Sequence, residues 1–326
     1  MKNIALIAGG DSGEHDISIK SAAVVAQNIP SNKYHVFLIE IKGGSWVYRH
    51  DTLGEIDIDK NDFSLSIDGK KILFDAVFNA IHGTPGEDGK ILGYFEMLGI
   101  PFTSSSAISS GLTFNKSYCN KVVGAAGVKV ARSVHLIDGY AYDAAKILKT
   151  VSLPCFVKPN QGGSSVGMSK VKEAEELVPA IEKAFAEDSQ VLIEEYIEGR
   201  ELTMGMFEYQ GELISFPITE VISKNEFFDF EAKYDASLNE EITPADISDE
   251  IKVHIEDTAR RLYRILNLRG VVRFDFIASK EGLNFIEVNT VPGLSTESLV
   301  PQQIREMGLR IGDIFDMMLM SVINNG

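Results

Sequence analysis

The first hundred residues alternate between short apolar strands and amphipathic helices, and this rhythm constrains the fold more than any other feature of the chain. Residues 3–8 read as a buried strand, 18–28 as a helix, 35–41 as a second strand and 74–81 as a third. A helix over roughly 89–98 and a short strand near 100–103 follow. A βαβ order of this kind predicts a mostly parallel sheet with helices on both faces. Helical patterns near 108–126 and 141–149 then flank strands near 130–136, 154–158 and 165–171, before an amphipathic helix at 172–187. From about 191 strands dominate: 191–197, 201–208 and 212–218, the last two joined by Tyr209-Gln210-Gly211. A long helix at roughly 245–267 leads into strands 271–278 and 283–289, and helices close the chain. The expected class is α/β, in three successive units.

Composition narrows the function. The formal net charge of −16 is spread along the chain and repels nucleic acid and anionic membranes, so no nucleic-acid or membrane partner is expected. No apolar run approaches the roughly 18–20 residues of a bilayer span. Met1 to Gly10 contains a short apolar stretch that reads as a buried first strand, since no cleavage site of small residues follows it. The two cysteines, Cys119 and Cys155, form no Cys-x-x-Cys spacing and argue against a disulfide framework or a structural zinc site, which makes the cytoplasm the expected location. In so acidic a chain, any phosphate site must be made locally by a few lysines and backbone amides.

The strands 271–277 and 283–289 alternate, so Arg273 and Asp275 share one face of the first, and Glu287 and Asn289 one face of the second. A three-residue loop, 280–282, ending in Gly282 would set Ser279 opposite Leu283, Asp275 opposite Glu287 and Arg273 opposite Asn289. Opposed side chains lie about 5 Å apart, where two carboxylates are unfavourable unless a cation lies between them. Two carboxylates and an amide suit Mg²⁺ held together with phosphates; a solvated strand face is the other reading.

Upstream, Phe156-Val157-Lys158-Pro159 ends a strand before the loop 160–167, Asn160-Gln161-Gly162-Gly163-Ser164-Ser165-Val166-Gly167. Its glycines admit phosphate oxygens to backbone N–H groups, its hydroxyls add donors, and Lys158 adds a charge. No Gly-Lys-Ser/Thr opens a helix, so it is not a P-loop. The segment from Val191 through Glu194 and Ile197 to Glu201 can offer a backbone edge to an adenine and a carboxylate to a ribose. The turn Gly9-Gly10-Asp11-Ser12-Gly13-Glu14-His15 has the wrong glycine spacing for a dinucleotide fingerprint, which argues against an NAD-dependent oxidoreductase. Glu14 suits a substrate ammonium instead, and His82, after another strand, lies where open α/β sheets bind ligands.

Assembled in order, these segments make the chain resemble the D-alanine–D-alanine ligases of the ATP-grasp superfamily over nearly its whole length. The resemblance rests on Gly9-Gly10-x-Ser12-x-Glu14-His15-x-Ile17-Ser18, His82-Gly83-x-x-Gly86-Glu87-Asp88-Gly89, Lys116, the 156–171 segment, and Glu194 through Glu201. Glu231-Ala232-Lys233-Tyr234, Arg273-x-Asp275, Glu287-Val288-Asn289-Thr290-x-Pro292-Gly293 and Ser298-Leu299-Val300-Pro301 complete it. It implies an ATP-grasp fold with a parallel-sheet N-terminal domain (1–104) and two further domains, 105–190 and 191–326, sandwiching ATP. It implies a Mg²⁺-dependent ligase with two metal ions (Mn²⁺ a possible substitute) that forms D-alanyl-D-alanine through an acyl phosphate for peptidoglycan precursors. A D-alanine–D-lactate or D-alanine–D-serine ligase of the same fold is the alternative, and a homodimer is implied.

By the same resemblance, Lys116, Lys158, Ser165 and Lys233 match ATP-phosphate contacts, Glu194 and Ile197 the adenine contact, and Glu201 the ribose contact. Asp275, Glu287 and Asn289 match metal ligands. Glu14 matches the residue binding the first ammonium, with His82 near that substrate, while Ser164 and Tyr234 match hydroxyls bonded to that glutamate. Arg273 and the Gly293 backbone match the oxyanion contacts, and Ser298 and Leu299 the contacts to the second carboxylate. The segment 223–236 is expected to act as a lid. Asn115 stands before Lys116 where the family commonly has an acid, and Phe228 and Phe230 stand where tyrosines are frequent.

Overall fold

The computed structural model describes residues 1–50, 52–163, 166–223 and 239–324. Strand β1 (Lys2–Gly9) is the middle of the first sheet. Its side chains alternate into two cores: Ile4, Leu6 and Ala8 pack with Ala22 and Val25 of α1 (His15–Asn28), while Ala5 and Ile7 pack with Phe63, Phe74 and Phe95. Burial on both faces is what a parallel strand between helices requires. Beside β1 run β2 (Tyr34–Lys42) and β7 (Ala76–Asn79), both parallel to it, as the βαβ rhythm implied. The rhythm left residues 43–72 unassigned. They hold β3 (Ser45–His50) and β4 (Gly54–Asp57), which extend the sheet antiparallel from β2, and the separate hairpin β5 (Leu65–Ile67) and β6 (Lys70–Ile72). The short strand expected near 100–103 is a single bridge, Val77 to Phe102, after α2 (Lys90–Leu98).

The long helical pattern at 108–126 is two helices, α3 (Ala107–Phe114) and α4 (Lys116–Ala125). They part at Asn115, whose extended backbone and side-chain acceptor for the Tyr118 N–H make it the cap of α4. A four-stranded antiparallel sheet follows, in the order β10-β9-β11-β8, from β8 (Ser133–Ile137), β9 (Cys155–Pro159), β10 (Ser169–Val171) and β11 (Gln190–Glu195). Helices α5 (Ala144–Val151) and α6 (Leu177–Phe185) bury Ile147, Val151, Leu177 and Ile181 against it.

The third sheet is also antiparallel, in the order β15-β14-β12-β16-β17 with β13 beside β12. Its strands are β12 (Arg200–Tyr209), β13 (Glu212–Ser215), β14 (Thr219–Ser223), β15 (Asn239–Ile242), β16 (Val272–Ser279) and β17 (Gly282–Asn289). Helix α7 (Asp249–Ile265) covers one face with Ile255, Ala259 and Leu262, and α8 (Leu299–Glu306) and α9 (Ile311–Ile323) close the chain. Phe315 of α9 packs edge-on to Phe78 of β7, which ties the end of the chain to the first sheet. Among the described residues no helix is long and apolar enough to cross a membrane.

The β16–β17 hairpin corrects the sequence reading in one respect. Ser279 pairs with Gly282, not with Leu283, so the loop has two residues between the paired positions instead of three. A bulge between Asp275 and Phe276 then admits Ile286 as an extra residue. Beyond it Asp275 faces Glu287 and Arg273 faces Asn289, the expected partners. The bulge also lets residues two apart face opposite ways: Phe285 enters the core with Phe274 and Phe276, while Glu287 pairs with Asp275.

Candidate active site

The turn after β1 is tight. Gly10 has φ +95°, and a Cβ there would lie 2.7 Å from Ile81 Cγ2, so only glycine lets the two loops pass this closely. Ser12 Oγ donates to the His82 carbonyl at 3.1 Å and accepts the Glu14 N–H at 3.2 Å, so the loops after β1 and β7 are fastened together. The His82 ring is buried between two partners. Its Nδ1 lies 2.8 Å from the Val291 carbonyl, so it carries a proton and donates, and its Nε2 lies 3.0 Å from Ser21 Oγ. This histidine therefore links the first sheet to the loop after β17.

The Gly/Ser loop reaches both neighbouring units. A Cβ on Gly163 would sit 2.6 Å from the Glu14 carboxylate, and the Gly162 carbonyl accepts from Lys116 Nζ at 2.9 Å. Lys116 Nζ also lies 3.2 Å from Glu287 Oε2. Burial opposes the charge of Lys116, but Glu287, with Glu87 and Glu194, outweighs it and holds the ammonium above the usual lysine range. Glu87, quoted in the sequence motif without a role of its own, belongs to this cluster. Burial, and then the charge of Glu14, push its carboxyl up to about 7, against the Gly83 N–H that it accepts at 3.0 Å.

On the hairpin, Arg273 grips Asp275 with two bonds, Nε to Oδ1 at 2.9 Å and Nη2 to Oδ2 at 2.7 Å. Thr203 Oγ1 donates to Asp275 Oδ1 at 2.6 Å from the neighbouring strand. Thr203 was missed in the sequence, although its alternation with Glu201 was a usable signal: β12 sets it directly opposite Asp275. Burial opposes the Arg273 charge, but Asp275 and then Glu287 raise its pKa further. The like charges of Asp275 and Glu287 are thus each offset by a cation of the protein, Arg273 and Lys116. Asn289 Oδ1, beside them, is buried with no hydrogen-bond partner among the described residues. An all-oxygen set with one unsatisfied acceptor fits a hard divalent cation such as Mg²⁺.

Lys158 pairs with Glu194, whose Oε1 accepts from Asn120 Nδ2 at 2.8 Å. The connection through Ile197 passes from the second sheet to the third, where half-buried Glu201 begins the site face of β12, in register with Ile277. Ser298 stands at the cap position of α8, so the N–H groups of Leu299 and Val300 open the helix toward the loop before it, a setting that favours a carboxylate, while Pro301 has no N–H to offer. Ser298 Oγ lies 2.7 Å from Ser295 Oγ, and a Cβ on Gly293 would come 2.7 Å from Ser298 Oγ. Ser164, Ser165, Lys233 and Tyr234, and all of the expected lid beyond Ser223, lie outside the described residues.

Two family descriptions match the chain: the D-ala D-ala ligase N-terminus over residues 3–105 and the D-ala D-ala ligase C-terminus over 123–320. A D-alanine–D-alanine ligase of Flavobacterium johnsoniae is 48% identical over 97% of this chain and 97% of its own. Among solved structures, the VanG D-Ala:D-Ser ligase of Enterococcus faecalis is 32% identical, with a TM-score of 0.86 over 98% of each chain. A D-alanine–D-alanine ligase of Bacillus anthracis complexed with ATP is 25% identical, with a TM-score of 0.78 over 100% of this chain and 98% of that one.

Proposed function

Because the chain belongs to the D-alanine–D-alanine ligase family, and so has the ATP-grasp fold, we propose that it joins two D-alanines at the expense of ATP, releasing ADP and phosphate. The observation that carries this reading is the continuous contact from Glu14 to Gly163, from Gly162 to Lys116, and from Lys116 to Glu287. In series, this links the residues expected to bind ammonium, phosphate and metal, Glu14, Lys116 and Glu287, from the first sheet's turn to the third sheet. The reading divides the chain into 1–104, 105–190 and 191–326, a division supported by one large sheet in each part, with the β5–β6 hairpin beside the first.

A carboxylate does not react with an ammonium ion at neutral pH, so the first D-alanine must be activated. Its carboxylate oxygen takes the γ-phosphoryl group of ATP, giving an acyl phosphate and ADP. The free amine of the second D-alanine then attacks the acyl carbon, and phosphate leaves the tetrahedral intermediate. In this scheme Glu14 holds the first ammonium, with His82 nearby, and Lys116, Lys158, Ser165 and Lys233 hold the phosphates. Glu194 and Ile197 meet the adenine and Glu201 the ribose. Ser164 and Tyr234 tie down Glu14. The Arg273 guanidinium has five N–H donors and spends two on Asp275, which leaves it able to meet the developing oxyanion with the Gly293 backbone. Ser298 and Leu299 take the second carboxylate. Asp275, Glu287 and Asn289 would hold two Mg²⁺ ions, which neutralise phosphate charge when bound. We further propose a homodimer located in the cytoplasm.

The test is Mg²⁺-dependent phosphate release from ATP with D-alanine, L-alanine, D-serine and D-lactate offered separately and in competition. D-alanine is expected to be the sole strong activator, with D-alanyl-D-alanine as product. Predominant depsipeptide from the D-lactate mixture, or phosphate release that ignores D-alanine, would overturn it.

A further inference from the structure

Asn115 replaces the acid that the family commonly sets before the phosphate lysine, which raises the question of what holds Lys116 here. Every early N–H of α4 is taken. Lys116 N–H donates to the Asn160 carbonyl at 3.1 Å, Ser117 N–H to Asn160 Oδ1 at 2.8 Å, and Tyr118 N–H to Asn115 Oδ1 at 3.0 Å. Asn160, fully buried, is the first residue of the Gly/Ser loop, so the helix carrying Lys116 and the loop whose carbonyl it touches are capped by the same two asparagines.

Both asparagines are in turn anchored by one atom. Gln190 Oε1 accepts from Asn115 Nδ2 at 3.3 Å, from Asn160 Nδ2 at 3.2 Å and from His135 Nε2 at 2.9 Å. A carbonyl oxygen can only accept, so the histidine carries its proton on Nε2. The Gln190 carbonyl also accepts the Asn160 N–H at 2.9 Å, and Asp188, two residues before, accepts the Gln161 N–H at 2.7 Å. The side chain of Gln190 thus adds a second tie to two buried amides whose oxygens already accept N–H groups of α4, and it holds the amide of each on its donor side.

We infer that Gln190 is the positioning residue that holds Lys116 and the Gly162–Gly163 loop in place to receive the phosphates of the nucleotide. The inference rests on the reading of Lys116 as a phosphate-binding lysine. The residues assigned to D-alanine, Glu14, His82, Ser298 and Leu299, lie on other elements, so removal of the Gln190 amide should be felt mainly by ATP, with only a smaller effect relayed through Gly163 to Glu14.

The experiment compares wild type, Gln190→Leu and Gln190→Glu by titration calorimetry with ATP and Mg²⁺, and by steady-state kinetics. Leucine keeps the shape and leaves three donors unpaired. Roughly a tenfold rise in the Kd and KM for ATP is expected, with KM for D-alanine within about twofold of wild type. Glutamate, which accepts the same three bonds, should recover most of the affinity. An ATP Kd unchanged in the leucine variant, an equal rise in both KM values, or a glutamate variant as impaired as leucine would overturn the inference. Should leucine prevent folding, Asn160→Asp keeps the acceptor for Ser117 but loses the donor to Gln190. A severalfold rise in its ATP Kd supports the inference, and an unchanged value overturns it. Wild type that binds ATP without releasing phosphate to D-alanine would sink the ligase reading and leave the Kd comparison decisive. Wild type that binds no ATP would sink both.

Discussion

Replacing Glu87 by glutamine should make the protein more stable, and increasingly so as the pH rises. The Glu87 carboxyl is raised from 4.5 to about 7 by burial and by the charge of Glu14. A folded pKa above the unfolded one means that the folded protein keeps this proton in the window where the unfolded chain has lost it. The stabilisation is therefore fully present at low pH relative to the ionised state and drains away between about pH 4.5 and 7. Between pH 5 and pH 8 such a shift amounts to roughly 2 kcal/mol. Glutamine keeps an oxygen for the Gly83 N–H but has nothing to ionise. At roughly 2 °C per kcal/mol for a chain of this size, the midpoint of Glu87→Gln should gain about 4 °C on wild type between pH 5 and pH 8. Scanning calorimetry of both proteins without nucleotide, in matched buffers across that range, measures it. A difference that stays constant or shrinks with pH would refute the reasoning. It would mean that Lys116 keeps Glu87 ionised throughout.

Asp275→Asn should abolish Mg²⁺-dependent turnover, by about 10³-fold or more, because it removes a ligand charge while keeping an acceptor for Thr203. Circular dichroism should be unchanged, and a near-normal rate would refute the metal role. Gly163→Ala should lower kcat/KM for D-alanine by roughly tenfold, since its Cβ would fall 2.6 Å from the Glu14 carboxylate; steady-state kinetics at saturating ATP reads it. Phe285→Ala should cost about 3 kcal/mol in urea unfolding, because the side chain is buried beside Phe276. A loss under about 1 kcal/mol would place Phe285 on the open face of the hairpin instead.

Which parts of this were legible in the sequence follows from the range of the forces involved. The parallel core was legible because β1 is buried on both faces, and a continuous apolar run is the direct record of that burial. The strands at 45–72 were not, because they are short and largely exposed, so few of their side chains had to be apolar. The break at Asn115 was hidden for another reason. The apolar periodicity of α3 and α4 runs on across it, and what ends one helix and starts the next is a cap completed by Asn160, distant in sequence. Lys116 could be picked out from a family pattern, but its contacts with Gly162 and Glu287 belong to tertiary structure that no local spacing encodes.

The hairpin shows how a local inference can reach the right partners through the wrong turn. A loop one residue longer, with no bulge, would also bring Asp275 opposite Glu287. It would, however, leave Phe285 and Glu287 on one face, since residues two apart in a regular strand point the same way. That arrangement would expose a phenylalanine beside the carboxylates and empty a position in the core next to Phe274 and Phe276. The shorter turn satisfies the core at the tip, and the bulge at Ile286 then turns the remaining strand over so that Glu287 and Asn289 face Asp275 and Arg273. Two demands of different origin, apolar burial and the gathering of oxygen ligands, are thus met by one extra residue. The irregularity falls at the boundary between them, directly beside Asp275, where a bulge can re-aim a side chain without disturbing the sheet on either side.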